Sequence, residues 1–283
     1  MDGRDLPARD SARWSGLSGR ASRPESPPLY AYVLDADDDL AAELDVRTRV
    51  AARQLATARV LDAQAGECDL DPWFSAAGGG PGLLVLDGLL AVHTRIVDRT
   101  VTELLGPGDL LQPQHRRMDE MVERDTTWRA LISTRFALLD EAFDRRVLPW
   151  PQIAHALLRR AERRCDDNDA LRAISCQPRL EVRLVLLLWH LAARWGRVET
   201  AGLRVSLPLT HRLLGQLVGA ERPSISHALA RLSRAGIVTG TPGDWHLHGK
   251  LDEHLESLIE RTPRLEQQGQ TEQPSAGQIA SRA

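Results

Sequence analysis

The 283-residue sequence predicts an α+β protein with a small β-barrel or roll, then one long helix, then a winged helix-turn-helix. Three observations predict it. Short apolar runs broken by Gly, Pro and Asp turns recur through the N-terminal half. PQIAHALLRRAERRCDDNDALRAISC then runs on without a breaker. Last, HRLLGQLVGAERPSISHALA has the spacing of two short helices around a turn, and IVTGTPGDWHLH behind it reads as two strands around Thr-Pro-Gly-Asp. A hairpin placed directly after such a helix pair is a wing.

Residues 1–28 lack periodic apolar spacing and predict a disordered arm, matched by a polar tail over 263–283. The β-roll is expected over 29–148, the long dimerisation helix over 149–177 and the winged helix-turn-helix over 178–262. From Leu40 to Ala63 a short helix leads into extended chain. LLVLDGLLAVH, after Gly78–Gly82, reads as a hairpin hinged at Asp87-Gly88. VTELL is a further strand, and Gly106-Pro107-Gly108-Asp109 forces a tight turn. Trp128–Ile132 predicts a strand and Thr134–Phe143 a short helix.

Pro149 and Pro151 mark the start of the long helix, because proline is tolerated where a helix has no acceptor for its missing N–H. At about 1.5 Å per residue it spans about 40 Å. Ile153, Leu157, Leu171 and Ile174 fall on one stripe, which is expected to pack on the same helix of a twin subunit, or else on its own β-domain. After Pro178, Leu180–Trp195 is a strongly apolar helix, the core of the second domain. LRVSLPL is extended and leads into the helix pair.

In that pair Leu213, Leu214, Leu217 and Val218 form the buried side of the first helix. Ile225, Ala228, Leu229 and Leu232 form that of the second. Gly215 keeps a side chain out of the helix crossing, and Gly219 supplies the turn, where φ > 0 is cheapest. The second helix begins at Arg222 and Pro223, leaving Arg222, Pro223, Ser226, His227 and Ala230 outward, placed for the DNA major groove. Arg222 can donate two hydrogen bonds to guanine, a pairing worth about 1–3 kcal/mol of discrimination. His227 can meet a purine N7 or a phosphate, and Ser224 with the free N–H groups of the helix start suits a phosphate. Arg212, Arg231 and Arg234 add attraction independent of sequence. The expected DNA-binding set is Arg222, Pro223, Ser224, Ser226, His227, Arg231, Arg212 and Thr210.

The whole chain carries a formal charge of −3, which does not mark a nucleic-acid binder. Between Arg197 and Lys250, however, seven basic residues face three acidic ones. The acidic excess lies elsewhere, as in Asp35, Asp37, Asp38, Asp39, Glu43 and Asp45, of which the stretch Asp35–Asp39 lacks calcium-loop spacing and is read as a solvated run. That asymmetry suits a protein in which one part meets DNA. Cys68, Cys165 and Cys176 are too scattered for a disulfide framework or an iron–sulfur cluster. No apolar run reaches the roughly 18 residues of a membrane span and the N-terminus has no signal-peptide core, so a cytoplasmic protein is expected. His246 and His248 share a strand face and could ligate a metal, but no carboxylate or cysteine near in sequence completes the set, so DNA contact by the wing, or plain exposure, is the stronger reading. Gly78–Gly82 precedes no phosphate-binding lysine, and no nucleophile–base arrangement points to an enzyme.

LPLTHRLLGQLVGAERPSISHALARLSRAGIV resembles the Crp/Fnr family of transcription regulators, and the likeness extends from about residue 40 to 250. GPGDLLQP looks like the turn and strand of that family's roll, and WRALISTRFALLDEAF like its last strand and following helix. The resemblance implies a cyclic-nucleotide-binding-type β-roll, a dimerisation helix and a winged helix-turn-helix whose base-reading positions fall on Arg222, Pro223 and His227. The family often has an arginine where His227 stands and an acid where Pro223 stands, so the preferred DNA sequence is expected to differ. Nucleotide-binding members carry a Gly-Glu-Leu helix start followed by Arg-Ser. Here QHRRMDEMVERDTTW has Arg116, Arg117 and Arg124 but neither motif, and it adds Asp119, Glu120, Glu123 and Asp125. Acids crowd a site meant for an anion and no glycine opens the backbone. No cofactor is therefore expected, and no tight hold on a cyclic nucleotide.

The expectation is a homodimeric regulator that reads a roughly palindromic duplex site and works with RNA polymerase, without membrane association. The alternative is an effector sensor acting mainly through protein partners, with a cyclic nucleotide or another small molecule in the roll.

Overall fold

The computed structural model describes residues 29–112 and 121–260. The expected tails, and with them Arg116, Arg117, Asp119 and Glu120 of the effector segment, lie outside the described residues.

The chain starts with β1 (Tyr30–Tyr32), α1 (Val33–Ala36), a 3₁₀ turn (Asp38–Ala41) and α2 (Val46–Leu55). Then come β2 (Thr57–Ala63), β3 (Gly66–Cys68), α3 (Asp71–Ala77), β4 (Gly82–Ile96), β5 (Arg99–Leu105), β6 (Leu110–Leu111) and β7 (Asp125–Leu139). These strands form one antiparallel sheet in the order β1-β2-β7-β4-β5, with β3 on β7 and β6 on β4. The 15-residue strands β4 and β7 pair along their length and bend together in the middle. One half of β7 takes β2 and the other takes β3, so the sheet rolls up. Leu83, Val85, Leu90, Val92, Trp128, Phe136 and Leu138 fill the inside of the roll.

Two expectations fail here. Asp87-Gly88 is no hairpin, because β4 continues through it with register shifts against β7 between Val85 and Leu90. Gly88 has φ +101°, so its conformational freedom serves a bulge instead of a turn. Thr134–Phe143 is no helix either. β7 runs to Leu139 because Thr134–Leu138 pairs with β2, and the helix begins only after Asp140, whose carboxylate accepts the Phe143 N–H.

The acidic run stays solvated at Asp38 and Asp39, 77% and 80% exposed, yet much of it is also paired. Asp35 forks to Arg53 at 2.6–2.7 Å, Asp38 pairs with Arg49, Glu43 with Arg159, and Asp45 caps α2 by accepting from Arg47 and Thr48 N–H. Asp37 and Arg160 are buried together, 2.5 Å apart. Burial pushes the Asp37 carboxyl up, and Arg160 pulls it back. Arginines on two helices come alongside this segment, which spacing along the chain does not show.

After α4 (Glu141–Val147) comes α5 (Pro151–Ser175), whose apolar stripe is used within the chain. Ile153 and Leu157 pack with Val33, Leu34, Leu40, Leu139 and Phe143 under the roll. Ile174, and partly Leu171, belongs to the C-terminal core. The stripe expected to meet a twin subunit therefore ties the two halves of one chain together.

The C-terminal part comprises α6 (Leu180–Trp195), β8 (Gly196–Glu199), β9 (Gly202–Val205), α7 (His211–Val218), α8 (Arg222–Arg234), β10 (Val238–Thr241), β11 (Asp244–Leu247) and α9 (Leu251–Glu260). Its sheet has the order β10-β11-β9-β8. Leu184, Val185, Leu188 and Leu191 of α6 lie at the centre of a core shared with α7, α8 and the wing strands, closed by Trp245 and Leu247. The strand β8 and the helix α9 went unread in the sequence.

Candidate nucleic-acid interface

The helix pair is built by local rules. Thr210 sits in extended backbone before α7 and its hydroxyl oxygen accepts the Leu213 N–H at 3.2 Å. Leu213, Leu214, Leu217 and Val218 are buried. A Cβ on Gly215 would stand 2.4 Å from the Ala220 carbonyl oxygen, so only glycine lets the turn fold back this tightly. Gly219 ends α7 in the left-handed region at φ +67°. The next helix starts with Arg222 and Pro223, where proline removes a donor that has no helical acceptor.

Ile225, Ala228, Leu229 and Leu232 bury one side of α8. At about 100° per residue, the centre of the opposite side carries Pro223, His227, Ala230 and Arg234. Arg222 and Ser226 flank it on the α7 side, where Ser226 Oγ lies 2.9 Å from His211 Nδ1 and 3.1 Å from the Arg222 carbonyl oxygen. When that hydroxyl donates to the carbonyl, His211 must carry its proton on Nδ1 and donate to Ser226. Ser224 and Arg231 flank the α6 side. Arg231 pairs there with Glu181.

Arg222, Pro223, Ser224 and His227 are exposed at the start of α8, and Ser226 is half-buried beside them. Arg231 is directed towards α6. Thr210 and Arg212 open on a different space, a cleft between α7 and the roll strands that carry His93 and Arg129. Arg234 was seen in the sequence only as one more positive charge, yet it stands in line with Pro223 and His227; its position follows from an i, i+4, i+7, i+11 count.

On the wing sheet, Arg204 Nε donates to Asp244 at 2.6 Å, which holds that carboxyl below its ordinary range. His246 lies beside the same Asp244 at 3.3 Å, with Glu199 at 3.9 Å. His248 Nε2 is 2.9 Å from the Thr239 hydroxyl. Among the described residues no three His, Cys, Asp or Glu side chains are grouped to hold a metal.

Residues 182–248 match the model of the Crp-like helix-turn-helix domain. The chain is 30% identical over 174 residues to the CRP-like cAMP-activated global transcriptional regulator of Mycobacterium tuberculosis (strain H37Rv), an alignment covering 56% of this chain and 73% of that protein. In fold it is similar to a CooA mutant from Carboxydothermus hydrogenoformans (TM-score 0.54, 17% identity, 71% of this chain and 87% of that one). It is also similar to a cyclic nucleotide-binding domain containing protein from Listeria monocytogenes EGD-e (TM-score 0.54, 13% identity, 67% and 88%).

Proposed function

Because the chain belongs to the CRP-like family and is a DNA-binding transcription regulator of the Crp/Fnr type, we propose that it reads a roughly palindromic site as a homodimer, with the first turns of α8 in the major groove. One observation carries this reading. The buried stripe of Ile225, Ala228, Leu229 and Leu232 fixes α8 so that Arg222, Pro223, Ser224 and His227 stay exposed at its start. Arg222 forks to a guanine and His227 reaches a base or phosphate. Ser224 and Ser226 reach phosphates from the two flanks of α8, whereas Arg212 and Thr210 border the cleft with the roll and Arg231 is paired with Glu181, so these three add longer-range attraction for the duplex and not first-turn contacts. Arg222→Ala should weaken binding to a selected operator about 10- to 100-fold, the equivalent of about 1–3 kcal/mol, and relax preference at one base pair. Unchanged affinity and unchanged preference in a gel-shift series would defeat the assignment.

The twin subunit meets the outer side of α5, where Ala154, Leu158 and Cys165 are exposed at spacings of four and seven. The protein acts in the cytoplasm as a binding protein and not an enzyme, with RNA polymerase as its protein partner. Among the described residues no helix is long and apolar enough to cross a membrane. The named relative is cAMP-activated, but Gly-Glu-Leu and Arg-Ser are missing here and acids stand in their segment. Titration calorimetry with cyclic AMP is expected to give no tight binding.

A further inference from the structure

The reading end of α8 is held by less than the rest of the helix. Glu221, at its N-cap, makes no side-chain capping bond, and Arg222, Pro223 and Ser224 are exposed. The buried stripe begins only at Ile225, so the turn that carries Arg222 has no apolar anchor of its own. Helix ends in that condition fray. A polar link from α7 meets this turn: His211 Nδ1 lies 2.9 Å from Ser226 Oγ. We propose that His211 is a positioning residue for sequence reading, holding the first turn of α8 against α7 and the wing so that Arg222 meets its base from a fixed backbone. The proposal rests on the DNA-binding reading above and deepens it.

His211 is itself held from two sides. It is the first residue of α7, where the Thr210 cap on the Leu213 N–H fixes the backbone. Its ring lies against the buried Trp245 of β11, with centroids 6.3 Å apart and planes 37° off parallel. Trp245 is locked between Gly240 of β10 and Val205 of β9. The ring thus joins α7, the wing and the start of α8.

Ser226 passes the constraint on. Its hydroxyl accepts from Nδ1 and donates to the Arg222 carbonyl at 3.1 Å. A serine bonded only to the carbonyl four residues back moves with its own helix and steadies nothing outside it. Anchored through His211, it steadies the carbonyl of the residue that reads. When the duplex docks, the hydroxyl can turn its proton to a phosphate while His211 keeps hold of the oxygen. Freedom removed before binding need not be lost on binding. The gain falls on the two-pronged guanine contact, which needs both donors in place, and not on attraction that ignores sequence.

The test uses the full chain, an operator selected from random DNA, and that operator altered at the base pair where Arg222→Ala loses its preference. His211→Phe keeps a ring on Trp245 and removes the donor, and Ser226→Ala removes the hydroxyl. Each should narrow the preference at that base pair about threefold to tenfold, with affinity for random-sequence DNA held within about twofold. The double variant should narrow it no further than either single one. His211→Asn, whose amide nitrogen can stand in for Nδ1, should restore it. Without DNA, the Ile225 amide, which donates to the Glu221 carbonyl at 3.1 Å, should exchange about tenfold faster in His211→Phe and Ser226→Ala, with α7 unchanged. Unchanged preference in both single variants overturns the proposal. So do losses that add in the double variant, or that fall equally on random-sequence DNA. If the native chain prefers no base pair at all, the DNA reading has failed separately. The Ile225 exchange then still decides whether His211 holds the turn, and an unaltered rate overturns that as well.

Discussion

Gly88 shows how much one residue can decide. A Cβ there would lie 2.5 Å from Thr134 Cα and 2.6 Å from the Ser133 carbonyl oxygen, with φ already at +101°. Thr134 is fully buried, and its hydroxyl donates to the Ile132 carbonyl while accepting the Leu89 N–H. Gly88→Val should therefore cost more than about 2 kcal/mol, read as a shifted urea midpoint with unchanged slope. The dipeptide was visible in the sequence but its use was not. Positive φ is what a hairpin and a bulge both need, and only the continuous partner strand tells them apart. Thr210 was legible in position and carries a second duty as the α7 cap; Thr210→Val should cost about 1 kcal/mol in the same measurement. His93 gives a pH signature. Because the fold holds its pKa below the ordinary 6.5, the unfolded chain takes up that proton first. Its stabilising contribution is full above about pH 6.5 and is lost as the pH falls through the interval down to the folded value. His93→Gln should flatten the loss seen in thermal melts between pH 7 and 5, where Arg129, Arg212 and Glu67 are the charges facing the ring.

Among the elements, α7 and α8 were the most legible, since a short amphipathic helix, a left-handed glycine and a proline start are all local signals. α5 was legible as a helix but not in its allegiance. A stripe of Ile153, Leu157, Leu171 and Ile174 looks the same whether it meets a neighbour or its own chain. The structure spends it internally and leaves Leu158, 56% exposed, on the outside. That gives a sharp test of the pairing proposed here. Leu158→Arg should produce monomers in sedimentation velocity and weaken binding to a palindrome far more than to an isolated half-site, with the thermal midpoint nearly unchanged.

In the whole molecule, the roll and the C-terminal part are joined by charge as well as by apolar packing. Arg194 of α6 reaches into the roll to Asp109 at 2.7 Å, a carboxylate only 3% exposed that also accepts the Gly106 N–H. On α5, Arg164 grips Glu103 at 2.7 and 2.9 Å, and Asn168 joins the same carboxylate. A Cβ on Gly106 would come within 2.9 Å of the Trp195 ring nitrogen. Removing one side of the buried pair strands the other, at a cost of about 3–5 kcal/mol. Arg194→Ala should thus lower the melting temperature and raise hydrogen exchange in both α6 and the 106–109 turn; a change confined to α6 would show that the two parts are not coupled through this pair. None of this was readable beforehand, because acids and arginines separated by tens of residues become partners only after the chain has closed on itself. The arginine-rich composition was obvious, its destinations were not.

The pairing of Arg231 with Glu181 has a consequence for ionic strength. A guanidinium already neutralised at home displaces fewer counterions when it docks on a polyanion. The decline of operator affinity with added salt should be shallower than a census of basic side chains suggests. Glu181→Gln should then steepen that decline by up to about one phosphate equivalent, while tightening the complex most in dilute buffer.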